Sequence, residues 1–422
     1  MLNKIKEQFI EARVLVQFGL LNGAGQVLGM IAPLIVAKFL SPELFGSYSL
    51  ARMVAFFFLS LLVTSAQGPF VVSANQERAV TGRINKSFSV QCLFMAVGFC
   101  IFAAVVVPAS RPLAVFAKIG SGELVFVYIA FTGFAMQNCF VNLFLAMGQR
   151  IKSALVELTF GMLTVGLVFV LYWTGAISLK NVFLVHFMSA VATSVIFIWV
   201  VDFEKLRPFM VDRNYLKGMF DFTKWMTLGT MAAYFITWGD SLVLRAFNKP
   251  LANIGTYNLG YGIFKGVSAL ILLIHAYFLP FVSEHIKDAE KMKDYLFNKR
   301  PKIFLLGFSG IVLLFVIAPG LLRMIYGEFY GDSIAVLRIL LVGCALILYI
   351  IFYEAILYSL KKYKFIQAAA IFQVSVNLVL DILLVPEMGM LGAAIATVLA
   401  YFCRAAVVEG YFRIKLKGLM KL

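Results

Sequence analysis

A charged side chain at the centre of a lipid bilayer costs about 2.5–3.5 kcal/mol on insertion scales, so one found there faces a cavity or a partner. This chain carries such side chains inside long apolar runs. The basic ones are Arg52, Lys224, Arg245, Lys265, Arg338 and Arg404, and the acidic ones are Glu157, Asp240, Glu354, Asp381 and Glu409. Lys224, Arg245, Arg338, Asp381 and Glu409 fall within about two turns of the end of a run, where long side chains reach the headgroups. Arg52 lies about 12 Å into its run at 1.5 Å per residue, and Lys265 lies deeper in another. Two deep cations suit an anionic headgroup, most simply a phosphate. Arg binds it through paired hydrogen bonds and Lys acts as a point charge. The competing reading is structural pairing, for example with Asp240 or Glu354. Lys224 joins Arg52 and Lys265 as a substrate-binding candidate.

The first run adds a polar face of small residues and amides: Gln17, Asn22, Gly23, Gly25, Gln26 and Gly29. Small residues let helices approach closely, and the amides of Asn22 and Gln26 could instead bond sugar hydroxyls. Asp240, which follows Trp238-Gly239, and Glu157 are the ion-coupling candidates. A desolvated carboxylate can take up and release a proton, whereas pairing with Arg245 or a nearby lysine would make Asp240 structural. Other chemistry is missing from the sequence. His186, His275 and His285 are scattered, with no metal-ligand spacing. The five cysteines sit inside apolar runs and read as small buried hydrophobes rather than a disulfide framework. No nucleophile elbow, P-loop or HExxH occurs. The expectation is a protein that is not an enzyme, with no metal and no cofactor beyond coupling protons or sodium.

These residues have to be positioned by membrane helices. Apolar residues make up 62% of the chain and charged residues 14%, with mean hydropathy +0.92. Soluble domains run at about 45–50% and 25%. Runs of about twenty apolar residues recur, each able to cross a ~30 Å hydrocarbon core. With no water there, each run must satisfy its own backbone as a helix. The runs are continuous, unlike the alternating ten-residue strands of a transmembrane barrel.

About twelve spans are expected: Val14–Phe39, Leu44–Gln67, Phe88–Val107, Glu123–Met147, Ser153–Thr174, Leu179–Val201, Phe222–Phe247, Ile254–Val282, Ile303–Leu322, Ile334–Leu360, Phe365–Val385 and Leu391–Phe412. They divide into a bundle of six in residues 1–204, a cytoplasmic connector 205–217, and a second six in 218–422. The polar start, Met1–Arg13, reads as amphipathic rather than as a cleavable signal. Most of the 37 Lys and Arg fall on one side when the N-terminus is placed inside, which puts both termini in the cytoplasm. The same asymmetry accounts for most of the net charge of +16 without a nucleic-acid partner. The longest polar connector, Ser283–Lys302, is expected to lie as a helix on the membrane surface. It is too small for a domain.

One stretch occurs twice. AKFLSPELFGSYSL (Ala37–Leu50) is echoed by AFNKPLANIGTYNL (Ala246–Leu259), with Pro250, Gly255 and Tyr257 standing for Pro42, Gly46 and Tyr48. A second echo links Leu143–Leu158 to Ile356–Ile371. Two echoes at nearly one offset suggest two similar halves, each with a deep cation on its second helix.

Three segments carry a resemblance. Ser41–Ala51 (SPELFGSYSLA) resembles the turn after the first helix of O-antigen and related polysaccharide repeat-unit flippases. These belong to the multidrug/oligosaccharidyl-lipid/polysaccharide (MOP) exporter superfamily. Ile325–Leu340 is similar to that family's external turn into helix ten. Asn377–Tyr401 (NLVLDILLVPEMGMLGAAIATVLAY) is similar to its helix eleven, Pro-Gly turn and start of helix twelve. Asp381 departs from the pattern, which more often has an uncharged polar residue there. The resemblance implies an all-α integral membrane protein with two pseudo-symmetric six-helix bundles around a central cavity, in the bacterial inner membrane. It implies alternating access, an oligosaccharide on undecaprenyl pyrophosphate as substrate, and coupling to protons or sodium. It also implies membrane lipid, a polysaccharide polymerase and chain-length proteins as partners. The alternatives are a cation-coupled multidrug exporter of the same superfamily and a membrane polysaccharide polymerase or ligase, the last disfavoured by short external loops.

Overall fold

The computed structural model describes residues 2–416, with side chains from 17 to 414 except Ser121, Ala276 and Pro280. The side chains of Met1–Arg13 and of the tail beyond Ile414 lie outside the described residues. That covers the expected amphipathic start and most of the basic end. Every described element is a helix or turn. Among the described residues, ten helices are long and apolar enough to cross a membrane. Two more follow from the geometry. Residues Tyr363–Tyr411 run as two helices joined at Gly389, whose φ of 57° and ψ of −131° break the helical path after Pro386. Residues Arg213–Ala246 form a helix of 34 residues, less apolar than the others. The chain folds into two compact units, residues 1–40 with 47–234, and residues 41–46 with 235–422.

The first unit contains α1 (Leu2–Phe39), most of α2 (Pro42–Phe58), α3 (Ser65–Thr81), α4 (Asn85–Val106), α5 (Ser110–Ala117), α6 (Ser121–Ala146), α7 (Arg150–Trp173), α8 (Leu179–Ile198) and the first two-thirds of α9 (Arg213–Ala246). α1 packs along α7, and α6 packs on both α7 and α8. Gly25 and Gly161 make the α1–α7 seam. A Cβ on Gly25 would stand 2.8 Å from the Leu158 backbone nitrogen, and one on Gly161 2.8 Å from Leu28 Cβ. The small-residue face of the first run is therefore at least partly a helix seam. The second span does not stop near Gln67. A π-helical turn, Leu59–Thr64, absorbs one extra residue and carries the helix on to Thr81, where Gly82 (φ 72°) closes it. Pro69 stands inside that helix about one turn after the π turn, where it removes one backbone donor.

Glu77 starts α4. Its two carboxylate oxygens accept from the backbone N–H of Lys86 (2.9 Å) and Ser87 (2.8 Å), satisfying two of the donors a helix start leaves open. The connector is strapped to the same place. The Lys205 carbonyl accepts from Ile84 N–H at 3.0 Å. Asn85 Nδ2 donates to the Pro208 carbonyl at 3.0 Å, and Met210 N–H donates to Ser89 Oγ at 2.9 Å. Lys86 Nζ pairs with Asp212 at 2.9 Å.

The second unit contains the rest of α9, α10 (Leu251–His285), α11 (Ala289–Asp294), α12 (Arg300–Tyr326), α13 (Ser333–Ser359) and α14 (Tyr363–Tyr411). α13 is its central helix and packs on α10, α12 and α14. The expected surface helix at Ser283–Lys302 is instead a short α11 followed by a π turn, Tyr295–Lys299, leading straight into α12. Tyr295 is fully buried and its hydroxyl donates to the Phe352 carbonyl at 3.1 Å, which draws the segment inward. Within this unit the repeated turn meets its own echo. A Cβ on Gly255 would stand 2.0 Å from the Pro42 carbonyl oxygen, and one on Gly46 2.2 Å from the Leu251 carbonyl oxygen. The two glycines recur because two backbones touch there.

Two outcomes follow. Gly255→Leu places carbon inside the Pro42 carbonyl and is expected to abolish monodisperse protein in size-exclusion chromatography, whereas Gly266→Ala, which meets nothing within 4 Å, leaves it intact. The Lys86 hydrogen bond, with help from Asn214 N–H, holds the Asp212 carboxyl below the usual carboxylate range. Its contribution to connector attachment is therefore complete above the unfolded value of about 3.9 and is lost as pH falls through the lower folded value. Pepsin cleavage at Phe203 and Phe209 should rise across that acid range, and Lys86→Met should remove the step. A cleavage rate that rises equally in both proteins would contradict it.

Candidate functional site

In the first unit the polar centre is built around α2. Tyr48 is fully buried, and its hydroxyl shares a 2.9 Å hydrogen bond with His186 Nε2 of α8. One turn further along α2, the Arg52 guanidinium lies over the rings of Tyr48 and Phe56, 5.4 Å from each centroid. Arg52 Nε is buried with no acceptor, and no carboxylate reaches ion-pair distance of this side chain among the described residues. The rings hold the cation without neutralising it. His186 is buried too, against Phe134, and its Nδ1 has no partner.

The second unit holds the opposite charge. Asp240 of α9 is 4% exposed and Asp381 of α14 is 0% exposed. Tyr257 of α10, the counterpart of Tyr48, donates its hydroxyl to Asp240 Oδ2, and Thr397 Oγ1 donates to the same oxygen at 2.7 Å. Asp381 faces Asp240. Neither oxygen of Asp381 nor Oδ1 of Asp240 finds a donor, and the neighbouring Asn377 amide has an unused Nδ2. No cation lies within ion-pair distance of Asp240 among the described residues, so the alternative structural pairing with Arg245 is not made. Two ionised carboxylates in this setting need a positive charge between them. The donors are all oxygens, which suits a proton or a hard cation such as sodium. Among the described residues no group of three His, Cys, Asp or Glu side chains assembles for a metal ion.

The other sequence candidates fall in several places. Lys265 is half-buried on α10. Lys224 is exposed on α9 and pairs with Asp221 at 2.7 Å, a surface pair of little energetic weight. Asn22 is half-buried and Gln26 exposed on α1. Glu157 is half-buried on α7, beside the Gly25 seam. Arg52, Asn22, Gln26, Glu157 and Lys224 belong to the first unit, and Lys265 and Asp240 to the second. Glu354 and Arg404 pair with each other at 2.6 Å, with Gln373 accepting from Arg404 at 2.7 Å. That removes Glu354 as a structural partner for the deep cations. Asp381, placed near a span end by sequence, lies about two turns before the Gly389 kink, and its side chain is fully buried. Tyr257, Asn377 and Thr397 were not anticipated. The repeated Tyr48/Tyr257 position was the available signal.

The long apolar helices with two buried polar centres among them define a multi-pass membrane protein. The fold agrees. An inward-facing multidrug resistance MATE family transporter of the MOP superfamily superposes with TM-score 0.79 at 15% identity, covering 94% of this chain and 96% of that one. The lipid II flippase MurJ in an inward closed conformation gives TM-score 0.77 at 14% identity, covering 95% and 87%. Residues 16–286 match the family described as Polysaccharide biosynthesis protein, and the chain belongs to that family. It is also similar to the capsular polysaccharide biosynthesis protein CapF of Staphylococcus aureus, 26% identical over 170 residues; that match spans 37% of this chain and 41% of the relative's length.

Proposed function

We propose that this protein moves a lipid-linked saccharide repeat unit, carried on undecaprenyl pyrophosphate, from the cytoplasmic to the outer leaflet of a bacterial inner membrane, with both its termini in the cytoplasm. The observation that carries the reading is Arg52, a membrane-embedded guanidinium stacked on two rings, with its Nε unused and no carboxylate beside it. In hydrocarbon such a group is stable only where an anion or water completes it, and a pyrophosphate headgroup supplies the anion. Family membership supports a saccharide cargo, and Lys265, on the second helix of the other half, supplies a second cation. The saccharide would travel along a water-filled path while the lipid tail stays in the bilayer. Asp240 and Asp381 would hold the coupling proton or sodium, and their release and rebinding would bias the two access states. No covalent chemistry is asked of any residue.

A drug exporter would also need acids in its path. Here the carboxylate pair is 4% and 0% exposed, room for a proton or bare cation but not for a drug-sized one. Unchanged drug susceptibility in a deletion strain fits this, while hypersusceptibility to organic cations would favour the exporter.

Deleting the gene should accumulate lipid-linked repeat units on the cytoplasmic side. Complementation with Arg52→Ala/Lys265→Ala should restore about a tenth or less of wild-type export, since a charge-assisted hydrogen bond contributes about 1.5–3 kcal/mol. Full export by the double variant at normal protein levels would refute the anion role. Purified protein should gain thermal stability with added sodium or with falling pH, and Asp381→Asn should lose that response. A wild-type protein indifferent to both would remove the coupling role from this pair.

A further inference from the structure

The cation of the first unit stands in a closed ring of side chains. Arg52 lies over Tyr48 and Phe56, 5.4 Å from each centroid. Phe56 packs against Phe134 with centroids 5.0 Å apart, and Phe134 packs against His186 at 5.0 Å. His186 closes the ring through its 2.9 Å hydrogen bond with the Tyr48 hydroxyl. Phe183, on α8 like His186, braces the Tyr48 ring at 5.3 Å. Tyr48, Phe134, Phe183 and His186 are all buried. Arg52 is half-buried as a whole although its Nε is sealed. Its open surface therefore lies elsewhere on the side chain, and the rings beneath set where that surface points.

Donors and acceptors fix the direction of the bonds in this ring. A guanidinium only donates. The Tyr48 hydroxyl lies beside the Arg52 guanidinium, so on that side its oxygen accepts. The hydroxyl proton then points to His186, whose Nε2 accepts it and whose Nδ1 carries the imidazole proton. Nδ1 is buried with no acceptor. A leucine at this place would fill space between the same rings and leave no nitrogen unmet. What the imidazole offers that leucine lacks is an acceptor for Tyr48.

We propose that His186 is a positioning residue for Arg52: it holds the Tyr48 hydroxyl, and so sets the guanidinium in advance for an anionic headgroup. The proposal rests on the reading that Arg52 receives the pyrophosphate of the cargo. His186 acts through Tyr48 and touches no cargo itself. An arginine has many rotamers, and one held in place before its ligand arrives loses less freedom on binding. Without the imidazole the hydroxyl proton is buried with no acceptor, and turning it toward Arg52 sets donor against donor. Either outcome loosens the seat of the guanidinium.

Farnesyl pyrophosphate, a short isoprenoid pyrophosphate, is the probe. Its binding to the full-length protein in phosphatidylcholine nanodiscs is measured by calorimetry. Arg52→Ala should weaken binding by about tenfold or more. His186→Leu and Tyr48→Phe should each weaken it by about tenfold. His186→Gln, which keeps an acceptor, should bind within about twofold of wild type. Arg52→Ala/His186→Leu should bind no more weakly than Arg52→Ala alone, because an effect carried through Arg52 vanishes with it. Tyr48→Phe removes one oxygen and keeps the ring, so it carries the test if His186→Leu is not monodisperse. Wild-type affinity in His186→Leu and Tyr48→Phe, with binding lost in Arg52→Ala, overturns this proposal and leaves the transport reading standing. A His186→Gln protein as weak as His186→Leu, or further weakening in the double variant, overturns it as well. Binding that survives Arg52→Ala overturns the transport reading, and this proposal with it.

Discussion

Hydrocarbon offers no hydrogen bonds. That single fact forces each crossing segment of this chain into a helix, and it makes every polar side chain inside a helix answer for itself. The described residues answer in two ways. Arg404, Glu354 and Gln373 close on one another at 2.6–2.7 Å and become part of the scaffold. Arg52, Asp240 and Asp381 keep atoms that no protein group meets. Arg404 keeps an unmet Nε as well, but its guanidinium lies against the Glu354 carboxylate; Arg52 and the Asp240–Asp381 pair have no opposite charge beside them among the described residues.

The recurring turn shows how one scaffold serves opposite charges. Tyr48 and Tyr257 occupy matching places on the second helix of each half, and both are buried to about 1% exposure or less. Tyr48 meets an imidazole and lies beneath a guanidinium. Tyr257 meets a carboxylate that faces a second carboxylate. A phenol suits both settings because its oxygen can donate or accept. The glycines of the turn are kept for a different reason, since two backbones pass within the space a single methyl would need.

The chain by itself named candidates for the site. Depth along an apolar run singled out Arg52 and Lys265, and an acid in such a run singled out Asp240. Position along the chain puts Asp381 about two turns before the Gly389 kink and says nothing of its sideways burial, which neighbouring helices complete. Tyr257, Asn377 and Thr397 could not be picked out, since neutral polar residues are common in membrane helices and carry no mark of their partners. Thr397 reaches Asp240 across 157 positions of chain.

Composition and run length alone settled that the protein lives in a membrane as helices, because apolar surface on this scale has no other solvent. They also settled which charges would be costly, because that cost depends on depth along a helix, a one-dimensional quantity. Tertiary structure decided which of those charges are spent on the fold and which are left open. Pairing depends on which helices lie side by side, and a sequence of interchangeable apolar helices does not encode its neighbours in any local pattern.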